Sequence, residues 1–261
     1  LMGGYESAAI NKPLIYTGAL KKGAVKRLTE TVEFWVKIMK ADALSPDGEG
    51  LKHILATRMI HSFSRVNILS RSDWDTNLWG VPLNLWDMLA TNLGFSMVFL
   101  VGLRRMGLQP TAAEIDGLFH LWKYIGHLLG IPIAIIPEDE QAAIEALYYW
   151  TMTQQDGDQD SKDLAEALCE EPVAANYPKS ALMRKMMREV HIFYNYFLLG
   201  DHSCKLLGLP STKIGRLAVI NIWRAKKMER QLHLGDNREK MILEGAAEQE
   251  NVRRIYQIYN A

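Results

Sequence analysis

Apolar side chains recur at helical offsets through most of the chain, and strand-like alternation is nearly absent. A first long helix is predicted over about residues 21–43, with Leu28, Val32, Trp35, Val36 and Met39 on one side, until Ser45-Pro46-Asp47-Gly48 breaks it. A second follows over about 50–70. A third, very apolar, starts at a plausible Asn84 cap and runs to Gly107. Pro110-Thr111-Ala112-Ala113-Glu114 has the form of a capping box and opens a fourth, which ends at Gly130. Residues 131–137 form the one strand-like run, and Pro132 and Pro137 mark it as an extended connector. Further helices are predicted over 138–155, 161–170, 180–207, 211–232 and 237–259, and no internal repeat appears. The pattern predicts an all-α fold.

With 261 residues and 48% hydrophobic content, the chain can bury a sizeable core. Formal net charge is zero, so no basic excess points to nucleic acid. Cys169 and Cys204 lack metal-ligand spacing and are too few for a disulfide framework; one disulfide stays open, and with it the compartment. The chain starts at Leu1, which suits a piece of a longer or processed protein, and no secretory signal is visible. Residues 85–103 approach the length of a membrane span, but Asp87, Thr91, Asn92 and Ser96 interrupt them, so a buried helix is expected rather than an integral span. The acids of 156–160 lack the spacing of a calcium loop and read as solvated.

One stretch carries candidate chemistry. Arg58, His61 and Arg65 stand at offsets of three and four residues, which bring them to one helix face. Their neighbours Ile54, Leu55, Met59, Ile60, Phe63 and Ile68 predict a largely buried helix. Buried guanidiniums beside a neutral imidazole are costly unless an anion lies opposite. Haem meets that description, offering iron to the imidazole and propionates to the guanidiniums. On spacing alone, however, a satisfied histidine flanked by solvated arginines is the commoner arrangement. On the first helix, Arg27 and Thr31 share a face with Glu30 beside it, and alone they read as ordinary helix surface.

Together, Arg27-x-x-x-Thr31 on one helix and Arg58-x-x-His61-x-x-x-Arg65 on the next resemble the rubber oxygenase (latex clearing protein) family. That family is related to fungal oxygenases that cleave farnesyl side chains in mycophenolic acid synthesis. Weaker echoes are Gly80-Val81-Pro82, the Thr91-Asn92 region with Phe95-Ser96, and Trp122-x-x-Ile125-Gly126-x-x-Leu129-Gly130. The likeness spans roughly 3–210 and thins toward the C-terminus. It implies a single-domain orthogonal helical bundle over 1–261 enclosing haem b, with His61 as the iron ligand, Arg58 and Arg65 around the haem, and Arg27 and Thr31 at positions the pocket needs. The implied reaction is oxidative cleavage of an isoprenoid C=C bond by O2.

One departure stands out. Glu30 occupies the place where family members with a closed pocket carry a distal lysine, so it is a candidate acid–base group, or else simply a partner for Arg27 or Lys26. The family's catalytic glutamate lies farther upstream, where Glu6 does not match its spacing. Two other classes stay open: a haem sensor or carrier without this chemistry, and a helical lipid- or partner-binding protein without haem. Oligomeric state is not fixed, and an oligomer stays open. His120 and His127 share a face without a third ligand, which suits structural or surface roles. Arg184 or Arg188 is a weak candidate for a propionate, and His202 and His233 show no pattern.

Overall fold

The computed structural model describes all residues except 19–22, 72, 176, 178, 213–216, 233–236 and 260–261; at 217–221, 231–232 and 259 it describes the backbone alone. The expected helix start at Lys21, the start of the 211–232 helix, Ser72 and His233 fall wholly or partly outside the described residues. Described helices are α1 (Ala8–Tyr16), α2 (Ala24–Ile38), α3 (Glu49–Leu69), α4 (Thr76–Trp79), α5 (Leu85–Phe95), α6 (Met97–Arg105) and α7 (Ala112–Leu129). They continue as α8 (Glu140–Met152), α9 (Gln159–Cys169), α10 (Glu171–Ala174), α11 (Ala181–Leu199), α12 (Asp201–Leu206), α13 (Leu217–Leu232) and α14 (Asn237–Tyr259). No strand occurs among the described residues; a lone bridge joins Ser7 to Asp156.

The caps explain several boundaries. The Thr111 hydroxyl accepts from the Glu114 amide at 3.3 Å, and Glu114 accepts from the Thr111 amide at 2.8 Å, so both legs of the capping box form. Gly130 ends α7 in the left-handed region at φ 102°. The apolar third helix is two helices. Ser96 departs from helical geometry at φ −104°, ψ −76°, and its hydroxyl donates back to the Asn92 carbonyl at 3.0 Å, a bond that bends helices. Residues 85–105 are long and apolar enough to cross a membrane by length and composition. Here they bend at Ser96, and Leu89, Leu93, Met97 and Leu100 pack against Phe119, Ile131 and Ile136. Gly200, at φ 89°, likewise divides the expected 180–207 helix into α11 and α12. The strand-like run is a 3-10 turn over Ile133–Ile135.

Three apolar clusters hold the elements. The first joins the N-terminal turn to α9, α11 and α12 through Tyr5, Leu164 and Ile192, and includes Cys169 and Cys204, both buried free thiols. Lys12 anchors the 156–160 loop by pairing with Asp158 at 2.6 Å and with Asp160, so those acids are partnered as well as solvated. The second joins α5, α6, α7 and α8. The third joins α2, α3 and α7 through Ile38, Ile54, Trp122 and Ile125. There the Trp122 ring stacks on Phe95, centroids 5.0 Å apart, with Trp35 edge-on to both.

The expectation of a largely buried α3 is corrected. Ile54 and Ile68 are buried at its two ends, but Met59, Ile60 and Phe63 are 54%, 61% and 68% exposed. Apolar residues on every face leave the helix without a direction, so periodicity does not say which face is covered. α2 and α7 cover one face, the cleft described next opens on a second, and the third faces outward.

Candidate functional site

α3 is the floor of a cleft of about 600 Å³. One wall is residues 81–84 and the first turn of α5; the other is the end of α7. Arg58, His61 and Arg65 all line it, with Leu85, Trp86 and Leu129 among the residues facing them. The helical spacing therefore does bring the three side chains to a common cavity.

Backbone carbonyls, not carboxylates, hold both guanidiniums. Arg58 donates to the Leu128 carbonyl at 3.2 Å and lies over Gly130, where a Cβ would stand 3.2 Å from Nε. Arg65 donates from Nε to the Pro82 carbonyl at 3.2 Å and from Nη2 to the Leu83 carbonyl at 2.5 Å. Leu83 is a non-glycine residue at φ 54°, a conformation that costs about 1–2 kcal/mol and that Arg65 helps to hold. Together the arginines brace α3 to the two walls. Among the described residues no Asp or Glu lines the cleft, so the charges on its lining are the two guanidiniums.

His61 is half-buried, and its Nδ1 is buried without a hydrogen-bond partner. Burial first, and then the charge of Arg65, hold its pKa below the ordinary histidine value. The imidazole is therefore neutral near pH 7 and has a lone pair to offer, as a metal-ligating histidine must.

The Arg27 group lies on α2, which runs antiparallel to α3: the Phe34 ring is 5.8 Å from that of His53, and a Cβ on Gly50 would meet the Lys37 carbonyl at 3.0 Å. That register places residues 27–31 alongside the middle of α3. They are not in the wall of the cleft, however. The Arg27 guanidinium sits 5.4 Å from the Tyr5 ring, with Nη1 buried and partnerless. The Thr31 hydroxyl donates to the Arg27 carbonyl of its own helix at 2.9 Å, and Glu30 is exposed. Glu6, half-buried, accepts from the Ser203 hydroxyl at 2.9 Å, and burial pushes its carboxyl up.

Arg184 and Arg188 do not serve the cleft. The first donates to the carbonyls of Val173 and Ala175, and the second pairs with Glu170 at 2.5 Å and Glu189 at 2.9 Å. His120 and His127 are exposed. Among the described residues no cluster of three His, Cys, Asp or Glu could hold a bare metal ion, a requirement that single-imidazole ligation of haem does not make. Sequence reasoning did not find the carbonyls of Pro82, Leu83 and Leu128, nor the Asn84–Trp86 edge. The Gly80-Val81-Pro82 and Leu129-Gly130 echoes were the available signal, because main-chain acceptors have no residue type.

A helical protein with a cleft lined by one histidine and two arginines is the class these features define. The chain matches, over residues 1–225, the family model described as "ER-bound oxygenase mpaB/B'/Rubber oxygenase, catalytic domain", and it belongs to that family. It is 24% identical over 119 residues to the rubber oxygenase of Streptomyces sp. (strain K30), a stretch that covers 45% of this chain and 29% of that protein, so less than a third of that relative's length is matched. The solved structure of latex clearing protein in the closed state superposes on all of this chain and on 73% of its own, with a TM-score of 0.58 at 17% identity, which shows a shared fold.

Proposed function

We propose that the chain is a haem b-dependent oxygenase that cleaves a C=C bond of an apolar, isoprenoid substrate with O2. The observation that carries the reading is a neutral imidazole with a partnerless nitrogen, set between two guanidiniums that no carboxylate among the described residues neutralises, in a cavity within the usual size range of cofactor sites. Membership of an oxygenase family supports the reaction class.

The residues present fit the group. His61 is the candidate iron ligand, Arg58 and Arg65 would meet the anionic edge, and Leu85, Met88 and Leu129 supply apolar wall. When bound, haem supplies the binding and activation of O2. The chain's own residues do the rest. Burial keeps His61 unprotonated, the two arginines fix the cleft's walls, and the apolar lining excludes water from a hydrocarbon. Arg27, with its buried free Nη1, is the further cation available to an anion on the α2 side. Glu30 and Thr31 are assigned no step, the one because it is exposed and the other because its hydroxyl is used within its helix.

Oxygen uptake by the haem-loaded protein, with squalene and its saturated analogue squalane, tests the reading. Uptake with the alkene alone, together with carbonyl products, is expected. A haem-loaded protein that consumes no oxygen with any isoprenoid alkene would be a carrier or sensor instead.

A further inference from the structure

Beside the cleft lies a second pocket of about 270 Å³, and Asn84 and Trp86 line both. These two side chains are thus the partition between them. The characters of the two spaces differ. The second pocket is walled by the indoles of Trp79 and Trp86 and by Asn84, Asp87, Gln154 and Gln155. Such a mixture of ring faces and amide or carboxylate acceptors suits a ligand part that is neither purely hydrocarbon nor strongly charged.

Asp87 is its distinctive group. The carboxylate accepts from the Asn84 amide at 2.6 Å and from the Trp150 indole at 3.1 Å. Both donors are neutral, and among the described residues no cation pairs with this carboxylate. The nearby ammonium of Lys12, 5.5 Å from the Trp79 ring, is committed to Asp158 and Asp160. A carboxylate offers about four acceptor positions, so Asp87 retains room for another donor. Burial pushes its carboxyl above the ordinary aspartate range, which also disfavours its use as a bare anion site. The neighbouring Gln155 side chain is exposed and available.

We infer that this pocket is a head-group subsite: it takes the neutral, hydroxyl-bearing end of an isoprenoid whose hydrocarbon portion lies in the cleft, with the hydroxyl donating to Asp87. The inference rests on the oxygenase reading of the cleft and narrows its substrate class from alkenes at large to isoprenoid alcohols. A site built to receive an O–H rejects the analogue that lacks it, because its acceptor is then left unpaired.

Calorimetric titration of the purified protein, with and without haem, tests this with three probes of equal chain length: farnesol, its methyl ether and the hydrocarbon farnesene. Farnesol is expected to bind about tenfold or more tighter than either of the others, since the ether accepts but does not donate. Asp87→Asn, whose amide keeps only one, uncharged acceptor oxygen, is expected to weaken farnesol binding several-fold while leaving farnesene unchanged. The ether series needs no mutant and holds if that variant fails to fold. Equal binding of alcohol and ether, or no binding of any probe, overturns the subsite. Because binding is read directly, a protein that takes no haem yet prefers farnesol defeats the oxygenase reading alone, and a haem protein with no preference defeats the subsite alone.

Discussion

Gly126→Ala sets two effects of opposite sign against each other at the joint between the cleft walls. Gly126 sits near the end of α7, and a Cβ there would stand 2.8 Å from Asn92 Nδ2 and 3.0 Å from Ile136 Cδ1. Replacing a helical glycine by alanine gains at most about 1 kcal/mol in propensity. Asn92, however, is 4% exposed, and its amide donates to the Trp122 carbonyl at 2.9 Å, tying α5 to α7. Displacing it strands a buried amide, at about 1–3 kcal/mol. Crowding Ile136, itself buried, adds about 1 kcal/mol or more. The losses outweigh the gain by about 2 kcal/mol, which in a chain of this size lowers Tm by about 4–8 °C. Thermal unfolding followed by far-UV circular dichroism reads the shift. In an Asn92→Ala background the clash with the amide is gone, and the same glycine change should be close to neutral. A Gly126→Ala protein that melts at or above the parent temperature would show that propensity governs the position and that the α5–α7 clamp is not tight.

Other expectations concern the cleft and its surroundings. His61 is held below its ordinary pKa by burial and by Arg65, and His53 and His191 chiefly by burial, so the folded state binds protons less readily than the unfolded one. Their contribution to stability is therefore full above the unfolded value of about 6.5 and is lost as pH falls through the folded values. The Tm of haem-free protein should drop between about pH 7.5 and 5.5, less steeply in His61→Gln; identical slopes would mean that the ring is solvated. Arg65→Ala removes the donors to the Pro82 and Leu83 carbonyls, costs about 1–2 kcal/mol, and should speed amide exchange over residues 80–84; unchanged exchange there would refute the bracing role. Glu30→Gln, at an exposed position outside the cleft wall, should retain haem and shift stability by no more than about 0.5 kcal/mol; a large loss of haem absorbance would return Glu30 to the site.

The helices were legible because the signals were local. The Thr111–Glu114 box, the Asn84 cap and Gly130 each act within a turn of themselves, and the structure forms all three. The breaks at Ser96 and Gly200 were missed because the apolar pattern continues through them, while one hydroxyl and one positive φ interrupt the chain. The shared face of Arg58, His61 and Arg65 followed from helical offsets alone. What partners them did not, because Leu128, Pro82 and Leu83 contribute carbonyls, which every residue has. Burial of α3 was misjudged for a related reason: hydrophobicity on all its faces hid the exposed surface at Met59, Ile60 and Phe63. Asp87, read only as an interruption of an apolar run, proved to be a half-buried carboxylate beside the cleft.

The most direct measurement is the visible absorption spectrum of the protein purified after expression with haem supplied, set beside that of His61→Ala. A Soret band with stoichiometric iron is expected in the parent, and its loss in a variant that still folds. A parent that binds no haem, or a variant whose Soret band is undiminished and unshifted, would contradict ligation of the iron by His61.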